Sequence, residues 1–251
     1  MGETPCVYVK MEYVAAPSTR LWVCDHTIPA ALNIFLKILE FFTELHCWGV
    51  VHRDIKPDNI LIRFKPIILD WTTTKVFSGG EGRNITDPGY SMGSALYRSE
   101  RMLYDAKSAT PLDDIYSLGI LFSFFILKAE PHVYPNEDLN VRKSKEKYLR
   151  RIKDSLPTEF QAIFEKATSP EEQKRYQIVK EFTKDLREAM RSLNIKIFNE
   201  NDFNIIDPDK TKMIVEETVI EEEEEKIEGK IVTLIKLFIK AEHAAHKIKG
   251  S

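Results

Sequence analysis

The segment Ile115–Leu127, IYSLGILFSFFIL, is apolar over almost its whole length, and this limits what the chain can fold into. It falls short of the roughly 18 residues needed to cross a bilayer. A helix apolar all round and too short for a membrane has to be enclosed by other elements of the same fold. The neighbouring segments can supply that enclosure. From Ala31 to Leu45, the residues Leu32, Phe35, Leu36, Leu39, Phe42 and Leu45 recur at three- and four-residue steps, which predicts a helix with one buried face. Two or three further helices are expected within 136–193, the last with Val179, Phe182, Leu186, Ala189 and Leu193 on one stripe. Strand signals are short. Val7–Val14 is β-branched and aromatic, and Ile60–Ile62 and Ile67–Leu69 flank Arg63-Phe64-Lys65-Pro66, which predicts a small hairpin. The expected fold is mainly α (α+β), a helical bundle around the helix that begins at Asp114.

Composition narrows the class of partner. With 43% apolar and 30% charged residues, the chain has the make-up of an ordinary soluble globular protein. A net charge of −3 gives no general attraction to nucleic acid or to an anionic membrane. The three cysteines, Cys6, Cys24 and Cys47, follow no metal or disulfide spacing and are expected to be reduced thiols. The N-terminus has no basic-then-apolar signal layout, and Cys6 stands where a myristoylation signal has Ser or Thr. The expectation is a cytoplasmic protein with neither nucleic-acid nor membrane partners. After Leu193 the character changes. An irregular stretch over 195–220 leads to the acidic run Glu221–Glu225, read as a solvated helix start, and Ile227, Ile231, Leu234, Ile235 and Phe238 mark an amphipathic helix to about Ile248. Domain boundaries are therefore set at 1–194 and at 195–251, a C-terminal helical extension. His243 and His246 are taken as ordinary surface histidines.

Chemistry concentrates in Val51-His52-Arg53-Asp54-Ile55-Lys56-Pro57-Asp58-Asn59-Ile60-Leu61, followed by Asp70 at the end of the second short strand. Phosphoryl transfer needs an oriented hydroxyl, neutralisation of charge on the phosphate, and metal ions bridging its oxygens. Asp54 can accept a hydroxyl proton, and Lys56 can face a γ-phosphate. Asn59 and Asp70 carry hard oxygen ligands suited to Mg²⁺.

This stretch resembles the H-R-D-x-K-x-x-N loop of the eukaryotic-type protein kinase family, and Lys56 is typical of its serine/threonine members. The resemblance extends over most of residues 7–193. It implies Asp54 as catalytic base, Lys56 as γ-phosphate contact, Asn59 and Asp70 as metal ligands, and ATP with Mg²⁺ as cofactors. The substrate it implies is a protein bearing Ser or Thr. Met11-Glu12-Tyr13-Val14 is similar to the hinge, where backbone groups of Glu12 and Val14 bind adenine, and Leu61 falls where the family floors the adenine ring. Gly93-Ser94-Ala95-Leu96-Tyr97 resembles the substrate-docking segment, with Ser94 bonding Asp54 and Lys56. Asp114 would hold the catalytic-loop backbone, and Glu100 would pair with Arg175. Arg53 stands where the family can receive an activation-loop phosphate, for which Ser78, Thr86 and Ser91 are candidate acceptors.

Three departures shape the expectation. Only six residues precede Val7, where the family has a Gly-rich loop, a strand lysine and a helical glutamate, so the chain reads as a hinge and C-lobe with an exposed apolar cleft. The metal motif reads Asp70-Trp71-Thr72, with a β-branched residue in place of glycine. Tyr97-Arg98-Ser99-Glu100 lacks a proline before the glutamate. Two alternatives to an active kinase therefore stay open. One is a pseudokinase acting as a docking module, and the other is half of a split kinase completed by a partner chain or by self-association at the cleft.

Overall fold

The computed structural model describes residues 14–76, 83–84, 94–105, 108–129, 141–199 and 202. Helix α1 (Thr19–Asp25) leads into the long α2 (Ile28–Cys47), and then come β1 (Val50–Val51), β2 (Ile60–Ile62), β3 (Pro66–Ile68), β4 (Lys75–Val76) and β5 (Arg83–Asn84). The rest is helical: α3 (Glu100–Tyr104), α4 (Pro111–Leu127), α5 (Val141–Ser155), α6 (Thr158–Ala167) and α7 (Val179–Ser192). The expected hairpin is present, with Ile60 opposite Ile68 and Ile62 opposite Pro66. The second sheet has the order β1-β4-β5, all antiparallel. This is the mainly helical, kinase-like architecture expected, with short strands beside the bundle.

Helix α4 is the axis. Every residue from Asp113 to Ile126 is buried, as an all-apolar segment requires once other helices surround it. Pro111 opens it, and Asp113 Oδ2 accepts the Thr110 backbone N–H at 2.8 Å to close its first turn. Lys128 ends it in the left-handed conformation (φ 54°) and donates through Nζ to the His26 carbonyl, which ties α4 to the end of α1. Helices α2, α6 and α7 pack around this axis. Phe35 of α2 meets Phe122, Phe125 and Phe182 with ring centroids 5.4, 5.3 and 5.8 Å apart, and Phe160 of α6 closes on Phe122 at 5.7 Å. These tilted and edge-on contacts are the arrangement that aromatic quadrupoles prefer. Gly119 lets α4 and α6 touch. A Cβ there would lie 2.7 Å from Thr168 Cγ2 and 2.8 Å from Ala167 Cβ.

Past α7 the chain turns at Asn194 (φ 54°) and returns to α2. There the buried Asn33 donates to the Lys196 carbonyl at 2.9 Å and accepts the Phe198 N–H at 2.6 Å. Of the expected strand over Val7–Val14 only Val14 is described, and it is not in a strand; the acidic run, the 227–248 helix and its histidines lie outside the described residues. Among the described residues no helix is long and apolar enough to cross a membrane.

Candidate active site

The loop 52–59 is held from beneath by the first turn of α4. Asp114 is fully buried, and its carboxylate accepts the backbone N–H of His52 at 2.8 Å and of Arg53 at 2.9 Å, with His46 Nε2 3.0 Å away. Two N–H groups on one carboxylate fix the chain direction, and Arg53 takes the left-handed backbone (φ 74°) that carries it into the loop. The Arg53 side chain donates to the Thr73 carbonyl, and the Thr73 hydroxyl donates back to the His52 carbonyl at 2.9 Å.

His52 joins the loop to the segment leading to Asp70. Its Nε2 faces the Leu69 carbonyl at 3.0 Å, and the Asp54 N–H points to its Nδ1 at 3.3 Å. A carbonyl on one nitrogen and an N–H on the other define a neutral ring protonated at Nε2. Burial pushes the His52 pKa down and outweighs the opposing charges of Asp114, Asp54 and Asp70. By bonding the Asp54 N–H on one side and the carbonyl of Leu69, the neighbour of Asp70, on the other, the ring ties the backbones that carry the two carboxylates to the same end of the lobe. Asn59 closes the loop, since its Nδ2 donates to the Asp54 carbonyl and to Asp54 Oδ2, both at 2.8 Å.

Asp54 is the convergence point. Lys56 Nζ donates to Oδ2 at 2.7 Å, and Arg98 Nη2 stands 3.3 Å from Oδ1. Burial by itself would raise the Asp54 carboxyl, but the Lys56 hydrogen bond and charge, the Arg98 charge and the Asn59 amide together hold it below the usual carboxylate range. Asp70 is exposed and adopts φ 57°, and its Oδ1 accepts the Thr72 hydroxyl at 2.5 Å and the Thr72 N–H at 3.3 Å. Trp71 packs its ring 5.0 Å from His52 and donates through Nε1 to the Ile68 carbonyl.

The loop's outer wall comes from α1. Thr19 Oγ1 donates to the Ile60 carbonyl at 2.8 Å, and Arg20 forks onto both Asp58 oxygens at 2.7 Å. Leu61 is half-buried in β2 and bridges to Ser18, on the segment that follows Val14. Glu12, the Ser94 side chain and the acceptors Ser78, Thr86 and Ser91 lie outside the described residues. Among the described residues no three His, Cys, Asp or Glu side chains converge as a preformed metal site. The donor set nevertheless fits Mg²⁺, which binds through one or two carboxylates plus substrate phosphates. Asn59 spends its NH₂ on Asp54 and keeps its amide oxygen for a cation, while Asp70 presents an exposed carboxylate.

Two contacts escape the sequence argument. Arg98 lies 44 residues from Asp54, and no local pattern joins them. Thr72 carried part of a signal, since an Asp carboxylate commonly accepts the backbone N–H two residues on, and that turn brings the Thr72 hydroxyl to the same oxygen. One expectation is corrected. Arg175 does not pair with Glu100. Its acidic neighbour is Asp113 at 3.9 Å, and it donates to the Leu112 carbonyl at 3.1 Å and to the Ser169 carbonyl at 2.6 Å. The first turn of α4 presents Asp113 and the Leu112 carbonyl to it together.

The family model for the protein kinase domain matches residues 3–196. The chain is similar to serine/threonine-protein kinase PknD of Protochlamydia amoebophila, 29% identical over 182 residues covering 64% of this chain and 18% of that protein. It is also similar to PknD of Chlamydia abortus, 27% identical over 161 residues covering 52% of this chain and 17% of that protein. A probable serine/threonine-protein kinase of Clostridium perfringens is 27% identical over 202 residues, covering 76% of this chain and 28% of that protein. The chain thus spans less than a third of the length of these relatives. With the Asp114-held loop and a family match over most of its length, the chain belongs to the protein kinase domain family.

Proposed function

We propose that this chain carries the catalytic-loop half of a serine/threonine protein kinase site, which transfers the γ-phosphate of ATP to a protein hydroxyl. The observation that supports it best is the Asp54 carboxylate, kept ionised while Lys56 and Asn59 converge on one of its oxygens. In this reading Asp54 orients the substrate Ser or Thr hydroxyl and accepts its proton. Lys56, already within 2.7 Å of Asp54, turns its ammonium to the γ-phosphate and offsets charge there. Asn59 and Asp70 hold Mg²⁺, and backbone groups of Glu12 and Val14 with the Leu61 side chain seat adenine. Magnesium-bound ATP supplies the phosphoryl group together with neutralisation of its charge. Residues 1–194 form the kinase-like unit and 195–251 an extension. Transfer of radiolabelled γ-phosphate to a generic basic protein, wild type against Asp54→Asn, tests the assignment. Loss of signal in the variant is expected, and equal signal from both ends it.

Two contacts favour a second reading, a pseudokinase that docks on a partner chain or on itself at the cleft. Arg98 occupies Asp54 Oδ1, and Thr72 caps Asp70 Oδ1, the carboxylates the reaction would use. A thermal-shift titration with ATP and Mg²⁺ separates the two. No shift at millimolar nucleotide supports docking.

A further inference from the structure

Arg98 covers the oxygen that phosphotransfer would use. Asp54 Oδ2 already accepts from Lys56 Nζ at 2.7 Å and from Asn59 Nδ2 at 2.8 Å, which leaves Oδ1 for a substrate hydroxyl. Arg98 Nη2 stands 3.3 Å from that Oδ1, and both side chains are almost wholly enclosed. A hydroxyl therefore gains Oδ1 by displacing the guanidinium.

The guanidinium is loosely tied on a firmly placed backbone. The Tyr97 carbonyl accepts the Ser117 hydroxyl at 2.6 Å, the Arg98 carbonyl accepts from Lys145 Nζ on α5, and the Ser99 hydroxyl donates to Asp113 at 2.6 Å. The Arg98 side chain, by contrast, makes one long bond, and its Nε is buried with no hydrogen-bond partner. Good charge-assisted pairs are shorter, at roughly 2.7–2.9 Å. Donors left unmet inside a lobe carry a desolvation cost, so this position of the head group is under-satisfied.

The neighbouring carboxylates are already engaged. Arg20 forks onto both oxygens of Asp58 at 2.7 Å, and Glu100 attracts the Lys145 ammonium. Among the described residues Arg98 has no acidic partner other than Asp54. Water would hydrate a displaced guanidinium, yet a carboxylate on the incoming chain replaces the broken ion pair with another. In the fork geometry it also satisfies Nε together with one Nη.

We propose that Arg98 is the specificity residue of this site, exchanging Asp54 for a carboxylate of the protein substrate close in sequence to the Ser or Thr acceptor. Acidic sequences are then fast substrates, and basic ones slow. This names the substrate class for the kinase reading above and rests on it.

Two fluorescent peptides, a central serine flanked by glutamates or by lysines, test it by anisotropy titration against the full chain. Transfer of γ-phosphate to both is measured in parallel. The glutamate peptide should bind about tenfold more tightly, although the net charge of −3 by itself favours the lysine peptide. Arg98→Gln should remove most of that preference, and Arg98→Lys, which keeps the charge without the fork, should retain part of it. Asp54→Asn removes the competitor for Arg98, so it should tighten the glutamate peptide several-fold while abolishing transfer. A purely structural arginine would not produce that opposition. No saturable binding of the glutamate peptide, a preference unchanged in Arg98→Gln, or weaker binding in Asp54→Asn overturns the proposal. Absence of transfer in wild type, with these binding shifts present, counts against the phosphotransfer reading alone.

Discussion

Arg98 stands 3.3 Å from the Asp54 carboxylate, and the two side chains are only 5% and 7% exposed. It is the second cation on that carboxylate after Lys56. Replacing it with methionine removes one of the charges that hold Asp54 below the usual carboxylate range. A carboxylate with a depressed folded pKa stabilises the fold above its unfolded value of about 4, and that stability is lost as pH falls through the folded pKa. In Arg98→Met the folded pKa should lie higher than in wild type, so the loss on acidification should be smaller and should end at a higher pH. Carbon-13 NMR titration of the Asp54 carboxyl checks this, and an unchanged curve would show that Arg98 contributes nothing.

Thr72 spends its hydroxyl on Asp70 Oδ1 at 2.5 Å. A hydrogen bond to a charged group contributes about 1.5–3 kcal/mol, and a cation using the same oxygen has to compete with it. Thr72→Gly and Thr72→Val should both bind Mn²⁺ more tightly, by up to about tenfold. The valine variant keeps the β-branch, so it separates capping from backbone stiffness. Water-proton relaxation with Mn²⁺ reads the affinity. Unimproved binding in Thr72→Val would leave stiffness as the constraint.

Asp114 satisfies two buried N–H groups at the start of the loop. Asp114→Ala orphans both, at about 1–3 kcal/mol each, so urea unfolding should show a loss of about 3 kcal/mol or more. Asp114→Asn keeps one acceptor oxygen and should lose less. Equal costs for the two variants would contradict this division.

His52 is neutral in the fold because burial pushes its pKa down. In the unfolded chain it takes up a proton below about pH 6.5. The unfolded state then binds more protons than the native one, so stability falls as pH drops through that value. Denaturation midpoints at pH 7.5 and 5.5 should differ less in His52→Gln than in wild type. If the histidine resonance titrates near 6.5 in the folded protein, the prediction fails.

Gly119 faces Ala167 and Thr168 closer than any Cβ tolerates. Alanine is favoured over glycine in a helix by about 1 kcal/mol, yet overpacking costs about 1–3 kcal/mol. Gly119→Ala should therefore come out destabilised in thermal unfolding, and adding Thr168→Ser should recover part of the loss. A stabilised Gly119→Ala would mean that α6 can move away.

Local chemistry made much of this legible. Phe35, Leu39 and Phe42 repeat with helical period, and they are buried as that period requires. The 60–68 hairpin follows from two apolar runs four residues apart. The loop's use of Asp114 was carried by the resemblance, and its 2.8 and 2.9 Å contacts agree with it. Arg98 reads in sequence as one more surface cation. Its burial against Asp54 arises only where the α3 side of the lobe meets the loop, and a contact across 44 residues leaves no periodic trace.

What the sequence determined by itself was the main helices with the axial one among them, the 60–68 hairpin and the identity of the polar groups at the lobe's end, because periodicity and spacing are properties of neighbouring residues. Only the tertiary structure decided which of those groups hold one another. Arg98 on Asp54, Thr72 on Asp70, and Asp113 rather than Glu100 beside Arg175 all depend on burial. Charge pairing in a packed interior is set by distance and desolvation, and neither is written along the chain.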